Sequence, residues 1–161
     1  MMHYTTILTN IGPDRFAHVV AGSSRKAKET YFARHNIRNA PQVGKIKLGA
    51  GHKMHARVTA LFDALQKTQD EPMAEEILRL YLLGKRPLLA LALDHLNIPH
   101  EDGLTESDEV SRLAMLTPIE RAELIALAVD QKVADQADVE LYLDYMAANH
   151  AREQEAASQA G

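Results

Sequence analysis

His52 and His55, in the string HKMH, stand three residues apart, a spacing that places two imidazoles on one helix face and suits two metal ligands. A third ligand would have to come from elsewhere. HExxH is absent, and no glutamate precedes a histidine by three residues as di-iron bundles require. A second polar cluster runs from Asp94 to Gly103 (DHLNIPHEDG). His95 falls in the last turn of an expected helix, where the macrodipole favours an imidazolium, and His100, Glu101 and Asp102 fall in the loop beyond. His95 and His100 with one carboxylate would make an acid–base or metal site. The plainer reading is a helix-terminal histidine and a polar turn closing on Gly103. His52, His55, His95 and His100 are thus the candidate metal ligands, and the sequence assigns neither a metal site nor a cofactor.

Other chemistry is limited by composition. The chain has no cysteine, which removes disulfides, thiolate zinc sites, iron–sulfur clusters and cysteine nucleophiles together. Gly44, Gly49 and Gly51, with Lys45 and Lys47, lie in VGKIKLGAG, but the string does not meet the phosphate-loop pattern GxxxxGK[ST]. It reads as a cationic loop that could touch phosphates without specificity.

Charge is the main functional signal. The net charge of −4 hides ten Lys/Arg against two acidic residues up to Arg57, a balance of +8, while the remaining chain carries −12. Such asymmetry points to an anionic partner or to internal pairing. The candidate contacts are Arg25, Lys26, Lys28, Arg34, Arg38, Lys45, Lys47, Lys53 and Arg57, with Tyr31 and Phe32 interleaved as rings that could stack on unpaired bases. If all eight excess charges met phosphates, log K would fall with log salt with a slope of about −7. Against a stacking platform stand 5% aromatic residues and no tryptophan.

The elements that position these residues are mostly helical. Residues 1–51 read as a basic N-terminal extension. In it Tyr4–Leu8 and Phe16–Val20, rich in Thr, Val, Ile and aromatics, form a small β-hairpin about Gly12-Pro13-Asp14, or else an arm without regular structure. A helix follows from a Ser23 or Ser24 cap to about His35, and the Gly/Pro-containing stretch to Gly51 is a boundary. Residues 52–150 read as an acidic, compact bundle of about six short helices. Met54, Val58, Leu61, Phe62 and Leu65 make one stripe, and Met73, Ile77, Leu80 and Tyr81 the next, behind an Asp70 cap. The apolar LLALALD from Leu88 opens after Pro87 and stops at Asn97-Ile98-Pro99. A helix follows from Thr105 and Asp108. Next comes one launched by the capping box Thr117-Pro118-Ile119-Glu120, with Ile119, Ala122, Ile125, Ala126 and Val129 as its stripe. The string LIALAVD there nearly repeats LLALALD, which a small apolar alphabet explains without duplication. The last helix starts at Asp135, and residues 151–161 read as a frayed tail.

With 161 residues the chain has the size of one ordinary domain and needs no staple to fold. Its longest apolar run is far short of the ~20 residues of a membrane-spanning helix. The N-terminus lacks the layout of a signal peptide, so the expectation is a cytoplasmic, mainly α protein without a membrane partner. The leading functional expectation is a non-catalytic interaction or regulatory protein whose basic third docks on an acidic protein surface or on a second copy. The runner-up is nucleic-acid binding through the same residues, and the third is a metal-dependent enzyme using His and carboxylates.

Overall fold

The computed structural model describes residues 2–38 and 50–160, with side chains from residue 53 onward in the second stretch. All regular elements among these residues are helical, so the protein is mainly α as its periodicity indicates. The chain forms two compact units, one of Tyr4–Tyr81 and one of Leu82–Gly161 with Met1–His3.

The first unit holds α1 (Tyr4–Asn10), α2 (Pro13–Val20), α3 (Arg25–Arg34), α4 (Ala50–Thr68) and nearly all of α5 (Glu71–Leu83). The expected β-hairpin is absent: its two arms are α1 and α2. Burial explains why helix overrides β propensity. Tyr4, Ile7 and Leu8 are buried, as are Phe16, Val19 and Val20, both sets at the i, i+3, i+4 spacing of a helix face. The open amides of α1 also find a distant acceptor. Tyr4 N donates to Glu71 Oε2, and Thr5 N to Glu71 Oε1, each at 2.9 Å, while Thr5 Oγ1 donates to Oε1 at 2.6 Å. Gly12, at φ +85°, separates the two helices and Pro13 opens α2.

Ser24 caps α3 by accepting Ala27 N at 3.1 Å. The helix ends where Asn36 turns left-handed and Ile37 N reaches back to Phe32 O at 2.8 Å. α4 packs against α1, α2 and α3, burying Val58, Leu61, Phe62 and Leu65. The Phe16 and Phe62 rings meet at 5.2 Å. On α5, Met73, Ile77 and Tyr81 of the expected stripe are buried, whereas Leu80 is half-buried and Leu78 and Leu82 join the core.

The second unit holds α6 (Arg86–His95), a 3-10 helix at Asp108–Met115, α7 (Pro118–Asp130) and α8 (Gln136–Ala160). α8 packs on the 3-10 helix and on α7, and α6 on α7. The expected helix from Thr105 is thus the tighter 3-10 form, capped by Ser107 rather than Thr105. Thr105 is taken by the preceding loop, donating to Pro99 O at 2.7 Å and accepting Ser107 N at 3.0 Å. The capping box of α7 is complete, both bonds between Thr117 and Glu120 measuring 3.2 Å. The inner face of α7, however, is Leu124 and Ala128. Ile119 is 73% exposed and Val129 45%, Ala122 and Ala126 are exposed and Ile125 is half-buried, so most of the expected stripe faces outward. α8 runs through residues 151–160, which the sequence reading takes for a tail.

Candidate interaction surface

The sequence-derived cations divide into tethered and open groups. Arg34 pairs with Asp70, Nε to Oδ2 at 2.6 Å and Nη2 to Oδ1 at 2.8 Å. His35 Nε2 meets the same Oδ2 at 2.9 Å. Asp70 is buried and caps α5 through Met73 N, so one carboxylate ties the end of α3 to the start of α5. Arg57 forms a two-pronged pair with Glu29, at 3.0 and 2.9 Å, and its guanidinium lies 4.1 Å over the Phe32 ring. Those hydrogen bonds hold the Glu29 carboxyl below its ordinary range, with the charges of Arg57, Arg25 and Lys28 acting the same way. Arg34 and Arg57 are therefore part of the scaffold. Arg25, Lys26, Arg38 and Lys53 are exposed and Lys28 is half-buried, none of them in an ion pair among the described residues. Lys45 and Lys47 lie outside the described residues.

Tyr31 and Phe32 do not belong to an accessible surface. They are 1% and 0% exposed, core residues that leave no face for a base or partner to stack on. The Tyr31 hydroxyl lies 3.3 Å from Ser23 Oγ, and burial pushes its phenol above the ordinary value.

The histidine candidates form no cluster of three ligand-type residues among the described residues. The His52 side chain lies outside the described residues. His55 is exposed on α4 and His95 on the last turn of α6. His100 has both ring nitrogens engaged: Nε2 meets Asp94 Oδ1 at 2.6 Å and Nδ1 accepts Gly103 N at 3.0 Å. Among the described residues, no three His, Asp or Glu side chains converge to hold a metal ion. No helix among them is long and apolar enough to cross a membrane.

The loop around His100 is nonetheless closely hydrogen-bonded. Glu101 and Leu104 exchange two backbone bonds, at 2.8 and 3.0 Å, around Asp102 (φ +52°) and Gly103 (φ +84°). Left-handed φ at both central residues marks a type I′ turn, for which Asp-Gly is a favoured pair. A Cβ on Gly103 would stand 2.8 Å from Leu89 Cβ and 2.9 Å from Arg86 O, so only glycine lets the turn seat on α6. Beside it lies an open hollow of about 770 Å³.

Sequence reasoning locates the Asp70 cap and the Gly103 turn, but not the links of Asp70 to Arg34 and His35, nor Glu71 as the cap of α1. Those partners are 35 to 67 residues apart, and no local pattern announces them. The chain matches no protein-family model, no curated protein and no solved structure.

Proposed function

We propose that this is a non-catalytic interaction protein whose basic N-terminal residues dock on an acidic protein surface or on a second copy of the chain. The observation that carries this reading is the division of charge between the two compact units. Tyr4–Tyr81 holds twelve Lys/Arg and seven Asp/Glu, net +5, whereas Leu82–Gly161 holds six and fifteen, net −9. Arg25, Lys26, Arg38 and Lys53 are the contacts in this reading, because they are exposed and outside the ion pairs that hold the unit together. Exposed pairs contribute only ~0–1 kcal/mol each, so the reading calls for several acting together and for steering of the encounter.

Nucleic acid is the competing anion. The burial of Tyr31 and Phe32 favours the protein reading, since it removes the stacking rings on which single-strand recognition relies. Sedimentation of the full chain and of Arg25→Glu/Lys26→Glu tests for a second copy, and titration with a poly-glutamate peptide tests for an acidic surface. The reading expects self-association or peptide binding that the double variant loses. A mobility shift with short DNA or RNA, without either of those signals, would replace the protein reading by the nucleic-acid one.

A further inference from the structure

We propose that His100 is a proton-operated latch, whose neutral ring holds the Glu101–Leu104 turn on α6 and whose protonation releases it. The tautomer follows from the partners. A backbone N–H can only donate, so the 3.0 Å bond from Gly103 N makes Nδ1 an acceptor. The ring proton therefore sits on Nε2 and is donated to Asp94 Oδ1 at 2.6 Å. A second proton can enter only at Nδ1. There it turns the Gly103 bond into a contact between two N–H groups, while the bond to the Asp94 carboxylate becomes an ion pair and stronger. The ring stays on Asp94, and the turn has to move.

Charged and titratable side chains reach this region from three elements. α6 presents Arg86, Asp94 and, on its exposed last turn, His95. The loop presents Glu101, Asp102 and Glu106, and the 3-10 helix presents Arg112, whose guanidinium donates to Leu96 O at 3.0 Å. Arg86 is already turned toward Asp102, to its carbonyl at 3.2 Å and its Oδ2 at 3.6 Å. Gly103 is buried, and its amide has no other acceptor once Nδ1 is protonated. Release therefore unseats Gly103 from Leu89 and Ala90, so that acid uncovers this stretch of α6. Histidine is the side chain suited to such a change between about pH 5 and 8.

The test is nitrogen-resolved NMR of the full chain from about pH 8 to pH 5, following the His100 ring nitrogens and the exchange of the Gly103 amide. At the upper pH the ring is expected to carry its proton on Nε2. On titration of His100, Gly103 protection, corrected for intrinsic exchange, should fall by about tenfold or more, the size of effect expected when a buried bond is lost. His100→Asn keeps an acceptor for Gly103 N–H but cannot take up the proton, so its protection should not change over the same range. Gly103 protection that stays constant through the wild-type titration overturns the latch, as does an equal loss in His100→Asn or a ring protonated on Nδ1 at the upper pH.

Discussion

Two carboxylates, Asp70 and Glu71, organise the first unit from adjacent positions in the chain. Asp70 serves Arg34, His35 and the start of α5 at once, whereas Arg34 keeps half its side chain in water and can be resolvated. The two ends of this ion pair should therefore respond unequally to truncation. Asp70→Ala is expected to cost about 2–4 kcal/mol, combining a lost helix cap with a stranded, mostly buried His35. Arg34→Ala should cost under about 1 kcal/mol. Urea unfolding of both variants checks the ratio, and equal losses would show that Asp70 acts only as the partner of Arg34. Tyr142, on α8, gives a pH signature of the second unit. Burial pushes its phenol up to about 12, above the ordinary value of about 10. A raised value means the folded state prefers the neutral phenol, so this contribution is intact below about pH 10 and is lost as pH rises toward 12. Tyr142→Phe should move the alkaline unfolding midpoint upward, read by tyrosinate absorbance and circular dichroism together.

The helices separate what is legible in the sequence from what is not. α4, α5 and the Thr117 capping box follow from local pattern, because stripes and caps are short-range devices. α1 and α2 do not, since β-branched residues in seven- and eight-residue segments suit either structure, and Glu71, which decides for α1, is far along the chain. The near-repeat of LLALALD and LIALAVD shows the same limit. Leu88 and Ala92 on α6 match Leu124 and Ala128 on α7, and all four are buried, but Leu93 is buried where its counterpart Val129 is 45% exposed. Periodicity identifies a helix that is apolar over much of its circumference without telling which side faces in. Leu124→Ala should accordingly cost about 2–5 kcal/mol, and Ile119→Thr should stay within about 0.5 kcal/mol. Thermal melts of the two variants check the assignment, and a large loss at Ile119 would place the inner face of α7 on the wrong side.

For the whole molecule, the two features that could draw chains together answer salt in opposite directions. Charge attraction between a +5 unit and a −9 unit is screened, with a Debye length of about 10 Å at 0.1 M that shrinks as salt is added. The outward face of α7, with Ile119 and Val129 and with Met115 just before it, would associate by apolar burial, which excluded salts such as sulfate strengthen. Its charged neighbours in sequence, Glu120, Glu123, Asp130 and Lys132, are of both signs, while Arg121 is already paired with Asp144 at 2.9 Å. Charge, unlike α7 packing, was legible from composition, because a count of residues needs no fold, whereas the tethering of Arg34 and Arg57 appears only once distant carboxylates are placed beside them. The division of charge therefore makes a directional prediction. Any self-association measured by sedimentation velocity should weaken between about 0.05 M and 0.5 M sodium chloride, and should weaken further in Arg25→Glu/Lys26→Glu. Association that instead grows in ammonium sulfate and is abolished by Ile119→Glu would transfer the docking surface from the basic helices to α7.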